Sequence, residues 1–325
     1  MDRPRRLRST AAMRRLVRET TLLPRHLVLP VFYREGIDAP REIASMPGVM
    51  QHTLDSLTQH VDTALQAGVG GVMVFAVPQE RDERGSAACD PDGALNVAVR
   101  HLSERFGDDT VLMADLCLDE FTSHGHCGLL TDDGRVDNDA TLVAYQQMAE
   151  QLAQAGAHLV GTSGMMDGQV AAVRDALDDS GYFDTGIIAY AAKYASAMYG
   201  PFRDAVESQL DGDRRTYQQD PGNRREAMRE VALDVAEGAD IVMVKPALPY
   251  LDVLSDVAAA VDLPVAAYQV SGEYSMIEAA AAKGWIDRDA AIDESLLSIR
   301  RAGADIVFTY FAAEVAARSG AASDA

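Results

Sequence analysis

Short, strongly apolar runs alternate with amphipathic segments along this 325-residue chain. The segments between the runs repeat apolar residues at helical spacing, as in 53–68, 138–156, 225–238 and 293–303, and several end at a glycine before the next run. Strands that are apolar throughout and separated by helices are typical of a parallel sheet buried on both faces. We therefore predict eight strands, at 26–32, 70–77, 110–117, 157–163, 186–193, 240–245, 264–271 and 305–311.

Eight strand and helix units in a chain of this length predict an α/β fold of the (β/α)8 TIM barrel type. An open doubly wound sheet is the alternative, although no Gly-x-Gly-x-x-Gly follows the first strands, which weakens its dinucleotide-binding version. No linker rich in Pro, Gly or Ser divides the chain. We expect one barrel domain over residues 26–325, preceded by an extended N-terminal arm over residues 1–25.

The composition indicates a globular protein of a reducing compartment. Hydrophobic residues make up 48% of the chain, enough for a large core, and the odd number of cysteines, three, argues against a disulfide framework. No apolar run approaches the roughly 20 residues that span a bilayer, and residues 3–20 lack the apolar segment of a signal peptide. We expect a cytoplasmic protein without a membrane partner.

Charge is divided unevenly between the arm and the rest of the chain. Residues 1–25 contain eight arginines against Asp2 and Glu19, a net charge of about +6, whereas the whole chain carries −21. A basic arm is also found in nucleic-acid-binding proteins and mitochondrial presequences, but an acidic body repels phosphate and membranes alike. Packing of the arm onto the acidic surface of a sister subunit explains both signs of charge. We therefore predict a homo-oligomer with no nucleic-acid partner.

Two of the most apolar runs end in a lysine, Lys193 and Lys245. Burial disfavours a charged amine, and each positive charge within several ångströms disfavours the other, so a free nucleophilic amine is favoured near neutral pH. One such lysine indicates Schiff-base chemistry. A second lysine in the same setting indicates a narrower class of Schiff-base enzymes than one lysine does.

Polar side chains follow six of the predicted strands at their carboxyl ends. In a barrel these ends share one rim, where active sites form. The rim set comprises Asp115, Cys117, Ser163, Lys193, Lys245, Ser271 and Tyr310. The longest gap between strands, 194–239, begins with a segment rich in turn formers and arginine, which predicts a lid that closes over an anionic ligand.

The loop at 115–128 is dense in residue types that bind zinc. Cys117, Asp119 and Cys127 form a Cys-x-Asp-x7-Cys set, and His124 and His126 lie in the same loop. Three protein ligands would leave one coordination position open. The alternative is a polar turn with two incidental buried cysteines, and the loop taken by itself does not decide between the two.

A series of motifs runs nearly end to end through the chain: RPRRLR, LVLPVF, CLDEFTSHGHCG, SGMMDG, KYASAMYGPFRDA, GDRRTYQ, MVKPALPYLD, YQVSGEYSMI and RAGADIVFTY. Together they resemble the porphobilinogen synthase (5-aminolevulinate dehydratase) family. The resemblance implies a (β/α)8 barrel with an extended arm, usually assembled as an octamer. It also implies a lyase that condenses two molecules of 5-aminolevulinate into porphobilinogen with loss of two waters, in tetrapyrrole (haem) biosynthesis.

By position, the resemblance implies Schiff bases on both lysines, Lys245 principally with the P-side substrate and Lys193 with the A-side substrate. A protonated imine is an electron sink that acidifies the neighbouring carbon, so it allows a C–C bond to form. Asp115 and Ser163 are candidates for moving or orienting protons.

The resemblance also implies two sets of carboxylate-binding side chains. The A-side set is Arg203, Arg214 and Gln218, with Arg215 in place of Arg214 if the register is shifted by one; a guanidinium fork suits a carboxylate. The P-side set is Ser271 and Tyr310. Their simpler interpretation is that they cap strand ends.

Two metal sites follow from the resemblance, a catalytic one at Cys117, Asp119 and Cys127 and an allosteric magnesium ligand at Glu230. Zinc-dependent members carry three cysteines in this loop and zinc-independent members carry Ala and Asp, whereas this chain has a mixed set. Two thiolates still favour zinc, while the carboxylate is a harder ligand that can weaken the site or admit another divalent ion.

A second departure concerns Gly164 and Gln169, where many members carry Asp and Arg; we expect it to alter subunit contacts or regulation. Two other functions stay open on the sequence. An aldolase on the same barrel needs only one imine lysine, and a non-catalytic metal-binding scaffold would need neither Lys193 nor Lys245.

Overall fold

The computed structural model describes residues 1–210 and 212–323 and contains a barrel of parallel strands surrounded by helices. The strands are β1 (Leu27–Arg34), β2 (Arg41–Glu42), β3 (Met50–His52), β4 (Gly71–Val77), β5 (Val111–Leu116), β6 (Leu159–Thr162), β7 (Gly186–Lys193), β8 (Ile241–Lys245), β9 (Val265–Tyr268) and β10 (Ile306–Phe308). The helices are α1 (Ala11–Leu16), α2 (Leu54–Gln66), α3 (Ala94–Phe106), α4 (Asn138–Gln154), α5 (Gln169–Asp179), α6 (Gly200–Ala205), α7 (Arg225–Ala236), α8 (Leu251–Ala260), α9 (Ser271–Ala282), α10 (Arg288–Arg301) and α11 (Ala312–Ser323).

The barrel is closed by eight parallel strands, β1 and β4 to β10. Each pairs with the next, and β10 returns to β1 through the register pairs Leu27↔Val307 and Val28↔Phe308. A sheet whose last strand pairs with its first has no open ends, so the predicted (β/α)8 barrel is confirmed and the open doubly wound sheet is wrong. The carboxyl ends of all eight strands therefore face one rim.

The observed strands follow the apolar runs closely. β7 covers the predicted 186–193 residue for residue, because both of its faces are buried, one by the barrel interior and one by helices. β9 is shorter than predicted and ends at Tyr268. The Glu273 carboxylate accepts a hydrogen bond from the Val270 amide at 2.7 Å and so caps α9 just after the strand. Ser271 is therefore the first residue of α9, and its predicted position at a strand end is wrong.

A short antiparallel pair, β2 with β3, was not predicted from the sequence. β10 is only three residues long and pairs with the start of β1, which leaves the end of β1 without a partner on that side. β3 fills this place through the register pairs Phe32↔Gln51 and Tyr33↔His52. The addition covers a strand edge that would otherwise be open.

The N-terminal arm lies outside the barrel. It contains a 3-10 helix at Pro4–Arg8 and the helix α1, and neither contains a buried residue. Leu7 is 52% exposed and Leu16 is 81% exposed. The arm boundary at residue 25 stays a prediction. Within residues 1–210 and 212–323, no helix is both long enough and apolar enough to cross a membrane.

Candidate active site

The two lysines lie side by side at the rim. Lys193 is the last residue of β7 and Lys245 the last residue of β8, and they are partners in the strand register. Each is only 6% exposed. Burial, followed by the positive charge of Lys193, lowers the pKa of Lys245 from 10.5 to about 7. The structure therefore brings together the two amines that the sequence singled out and leaves one of them partly neutral near pH 7.

Lys193 is held by a chain of polar groups from the neighbouring strands. Its Nζ donates a hydrogen bond to the backbone oxygen of Ser163 at 2.6 Å, and the Ser163 hydroxyl donates to Oδ2 of Asp115 at 3.1 Å. Burial raises the pKa of Asp115 to about 6, although the charges of Lys245 and Lys193 act in the opposite direction. A carboxyl of this kind can take up or release a proton near neutral pH.

Four aromatic rings surround the amine of Lys245. Its Nζ lies 4.3 Å from the ring centroid of Tyr268, 4.9 Å from Tyr190, 5.6 Å from Phe202 and 5.7 Å from Tyr199. Such rings attract an ammonium group through their faces, but they also exclude water from it. The lowered pKa of Lys245 indicates that the loss of water outweighs the attraction.

Sequence reasoning missed this aromatic cage for a structural reason. Tyr190 and Lys193 are three positions apart, which places side chains on opposite faces of a regular strand. The register of β7 with β8 shifts between Ala189 and Ala192, and the Tyr190 ring comes to lie 5.7 Å from the Lys193 Nζ. No pattern in the sequence marks this bulge.

The lid residues Arg203, Arg214 and Gln218 line the pocket that contains both lysines. The Nε of Arg214 and the Nε2 of Gln218 are buried and have no hydrogen-bond partner within the described part of the chain. Arg215 is exposed and does not line this pocket. The pocket has a volume of about 20 Å³, which is room for about one water molecule. A substrate therefore needs the lid to move.

Arg214 also ties the lid to the cysteine loop. Its Nη2 donates at 2.8 Å to Oδ2 of Asp119 and at 2.8 Å to the backbone oxygen of Gly125. Gly125 has φ of +69°, and a Cβ there would lie 2.5 Å from the backbone nitrogen of Leu210, so the lid and the loop are in direct contact. Burial by itself would raise the pKa of Asp119, but the charges of Arg214 and Lys193 outweigh it and hold that pKa below its usual value.

The cysteine loop brings its predicted ligands together. One atom each of Cys117, Asp119 and Cys127 lies within 4.8 Å of the others, and all three residues are buried. Two sulfurs and one carboxylate oxygen fit a three-ligand zinc site. The two histidines do not join them: His126 Nδ1 lies 3.0 Å from the Tyr217 hydroxyl, and His124 Nε2 lies 3.2 Å from the backbone oxygen of Glu83.

The predicted P-side pair lies one layer behind the lysine pocket. The hydroxyl of Ser271 accepts a hydrogen bond from the Phe202 amide at 2.9 Å, and the hydroxyl of Tyr310 lies 3.2 Å from that of Tyr268. Phe202 and Tyr268 are two of the rings that face Lys245. The pair therefore lies next to the walls of the pocket on the Lys245 side.

Glu230 lies apart from the lysine pocket. It is on α7 and lines a cavity of about 680 Å³ together with Asp167 and Glu226. Burial and then the charges of Asp167 and Glu226 raise the pKa of Glu230. A group of carboxylates at a solvent-connected cavity is suited to a hard divalent cation.

A protein-family model for delta-aminolevulinic acid dehydratase matches residues 1–318. The chain belongs to the delta-aminolevulinic acid dehydratase family. The dehydratases of Mycobacterium tuberculosis and Streptomyces coelicolor are 66% and 62% identical over 317 and 316 residues, which covers 97% of this chain and 96% of each relative. A crystal structure of the dehydratase (porphobilinogen synthase) of Toxoplasma gondii, in complex with the product porphobilinogen, is 44% identical, with a TM-score of 0.95 over 97% of this chain and 91% of that one.

Gly164 is one of the positions at which the sequence departs from the dehydratase family pattern. Gly164 is buried, and a Cβ at this position would lie 2.0 Å from the Tyr145 hydroxyl. That hydroxyl donates to the backbone oxygen of Cys127 and lies 3.9 Å from the Cys117 sulfur. Gly164 thus makes room for a tyrosine that supports the cysteine loop. It lies inside the subunit beside the cysteine loop, and the expected effect on subunit contacts or regulation stays a prediction.

Proposed function

We propose that this chain is a porphobilinogen synthase, a lyase that condenses two molecules of 5-aminolevulinate into porphobilinogen and releases two waters. The observation that carries the proposal is the pair of buried, adjacent lysines at the barrel rim, one of them with a pKa of about 7. A reaction that joins two copies of one amino ketone can use one imine for each copy. The family match and the product-bound structure of the Toxoplasma gondii relative support the same reaction.

In this proposal Lys193 anchors the A-side substrate and Lys245 the P-side substrate. Each ketone condenses with a lysine amine, which forms a C=N bond and releases one water. The protonated imine acidifies the neighbouring carbon, and the carbanion formed there makes the C–C bond. The carbanion adds to the imine carbon of the other substrate, whose C=N electron pair moves to nitrogen, and that lysine then leaves as a free amine as a C=C bond forms with loss of a proton. The ring closes when a substrate amine replaces the other lysine at its imine carbon, which frees that lysine. In this proposal Ser163 and Asp115 move the protons, supported by the hydrogen bonds that link Lys193, Ser163 and Asp115.

The lid supplies the A-side carboxylate site in this proposal. Arg214 Nε and Gln218 Nε2 are buried donors without partners among the described residues, and with Arg203 they face the pocket of both lysines. A carboxylate that accepts hydrogen bonds from them satisfies both donors. On the Lys245 side, the hydroxyls of Ser271 and Tyr310 hold the P-side carboxylate after Phe202 and Tyr268 have moved away from these hydroxyls.

We further propose zinc at Cys117, Asp119 and Cys127 and magnesium at Glu230. Zinc, when bound, would supply Lewis acidity next to the A-side substrate. The chain's own contribution is the position of the three ligands and the Tyr145 hydroxyl beside the sulfur of Cys117.

We also propose a cytoplasmic homo-oligomer, an octamer as in the family pattern that the motifs resemble. Three free cysteines suit a reducing compartment, and the exposed apolar residues of the basic arm suit a subunit contact.

Borohydride trapping tests the proposal. Purified, metal-replete protein treated with 5-aminolevulinate and borohydride should carry substrate adducts on Lys193 or Lys245, identified by peptide mass spectrometry. The same protein without borohydride should give a pyrrole colour reaction, and Lys193→Ala and Lys245→Ala should each lose it. The absence of both the adduct and the pyrrole colour would overturn the assignment. Full activity in Lys193→Ala would favour a single-imine aldolase.

A further inference from the structure

Three buried carboxylates meet beside the two lysines. Asp115, Asp119 and Glu120 each place one carboxylate oxygen within 4.8 Å of the other two. The three residues are 2%, 4% and 0% exposed. Carboxylates gathered away from water repel one another unless a cation or a shared proton lies between them.

Glu120 supplies an independent observation that points to a ligand. Both of its carboxylate oxygens are fully buried and accept no hydrogen bond from the described residues, and the same holds for Oδ1 of Asp115. Buried polar atoms are almost always paired with protein groups, water or an ion, because leaving them unpaired costs free energy. The unpaired oxygens therefore indicate a group that binds between them.

Positive side chains lie nearby, and the charges of Lys245 and Lys193 both act on Asp115, but none of them forms an ion pair with Asp115 or Glu120 among the described residues. Arg214 is bound to Asp119 through Oδ2, and Lys193 donates to the backbone oxygen of Ser163. Within residues 1–210 and 212–323, the ion pairs include neither Asp115 nor Glu120. Neither carboxyl group is thus paired directly with a positive side chain, and burial raises the pKa of Glu120 well above its usual value while no cation is bound.

We infer that Asp115, Asp119 and Glu120 form a second cation site, separate from the Cys117, Asp119 and Cys127 group, and that it takes a hard divalent cation of the Mg²⁺ type. An all-oxygen donor set favours Mg²⁺ or Mn²⁺ over the thiophilic ions that two cysteines select. Asp119 belongs to both groups, so occupation of one site changes the other. The inference concerns binding and does not depend on the proposed reaction.

The position of this cation gives it a consequence for the lysines. A divalent positive charge within the same buried pocket disfavours protonation of nearby amines. Bound Mg²⁺ would therefore act with the burial of Lys245 to keep its amine free. It would also neutralise Asp115 and Asp119, which line the lysine pocket, so Asp115 could move protons only while the cation site is empty.

Mn²⁺ binding tests the site without any measurement of activity. The full chain carrying Glu230→Gln, which removes the other candidate magnesium ligand, is loaded with one equivalent of zinc and titrated with Mn²⁺ while free Mn²⁺ is followed by electron paramagnetic resonance. We expect one Mn²⁺ per chain, displaced by excess Mg²⁺. Adding Glu120→Gln should weaken Mn²⁺ binding by roughly tenfold or more, with zinc content unchanged, whereas the exposed Glu104→Gln should have no effect.

Three outcomes would overturn the inference. The first is an unchanged Mn²⁺ affinity in Glu120→Gln. The second is the absence of any bound Mn²⁺, which would mean that the carboxyl groups share protons instead. The third is loss of Mn²⁺ binding in Cys127→Ser with retention of Mn²⁺ binding in Glu120→Gln. If Glu120→Gln does not fold, crystals of the Glu230→Gln protein soaked in Mn²⁺ decide the matter. An anomalous peak between Asp115 and Glu120 supports the site, and a peak elsewhere or none refutes it.

Discussion

Arg214 and Asp119 form a buried ion pair that joins the lid to the cysteine loop. Nη2 of Arg214 lies 2.8 Å from Oδ2 of Asp119, and the two side chains are only 11% and 5% exposed. The family resemblance assigned the arginine to a substrate carboxylate and the aspartate to a metal. In the closed structure each neutralises the other, so a metal at Asp119 leaves Arg214 free for the carboxylate of a substrate.

Arg214→Met should destabilise the metal-free protein strongly. Asp119 would remain buried without a partner, and breaking a buried pair from one side costs about 3 to 5 kcal/mol. With zinc bound, the loss should be smaller because the metal neutralises Asp119. Urea unfolding at one fixed protein concentration, with chelator and with zinc, measures both values. Arg215→Met, an exposed neighbour, is the control; an equal loss with and without zinc would show that Asp119 is not a zinc ligand.

The rate of imine formation at Lys245 should depend on pH with a limb near 7. Its pKa is lowered from 10.5 to about 7, so below pH 7 the free amine falls about tenfold per pH unit, and above pH 7 it changes little. Lys193→Met removes the neighbouring charge and should move this limb to higher pH. Borohydride trapping of 5-aminolevulinate on Lys245 between pH 5 and about 9, followed by mass spectrometry, measures the limb. A limb that stays in place would mean that the two amines do not interact.

Lys245→Met should stabilise the fold below pH 7. The pKa of Lys245 is lowered on folding, so the unfolded chain holds an extra proton between pH 7 and 10.5, and the stability of the unaltered protein rises with pH across that window. Below it, the fold bears the full cost of a buried ammonium. Thermal unfolding should show that the free energy of unfolding of Lys245→Met exceeds that of the unaltered protein by roughly 2 to 5 kcal/mol at pH 6. This difference should shrink as the pH rises. Lys283→Met, an exposed lysine, should show no gain.

Asp119→Cys should tighten zinc binding. A third thiolate is a softer ligand than a carboxylate, and we expect an affinity at least about tenfold higher. Competition with a chromophoric chelator gives the affinity of both proteins, and Asp132→Cys, on the exposed turn that follows the loop, controls for an added thiol. An affinity equal to that of the unaltered chain would place the zinc away from position 119.

Much of the fold could be predicted from the sequence because its sheet is parallel and buried on both faces. Strands buried on both faces produce uninterrupted apolar runs, and β7 matched its run residue for residue. The pair β2 and β3 escaped prediction because strands of two and three residues, partly exposed, carry no periodic signal. The end of β9 was misplaced because a helix cap by Glu273 follows the strand directly.

The candidate site was readable only where the barrel topology fixes it. Lys193 and Lys245 were placed by the rule that strand ends meet at one rim. The pairing of Arg214 with Asp119 joins positions 95 residues apart, and local pattern does not encode it. The position of Tyr190 beside both amines depends on a bulge that the sequence pattern of β7 does not predict.

Removal of residues 1–25 should leave a folded barrel that assembles into smaller oligomers. The helical parts of the arm bury no side chain in their own subunit, and Leu7 and Leu16 are exposed, so these residues contribute little to the barrel alone. Their burial is best achieved against another subunit, whose acidic surface also attracts the eight arginines. Light scattering should give a lower mass for the truncated chain and for Leu16→Glu, with circular dichroism unchanged. An unaltered mass in both would refute the assembly role of the arm.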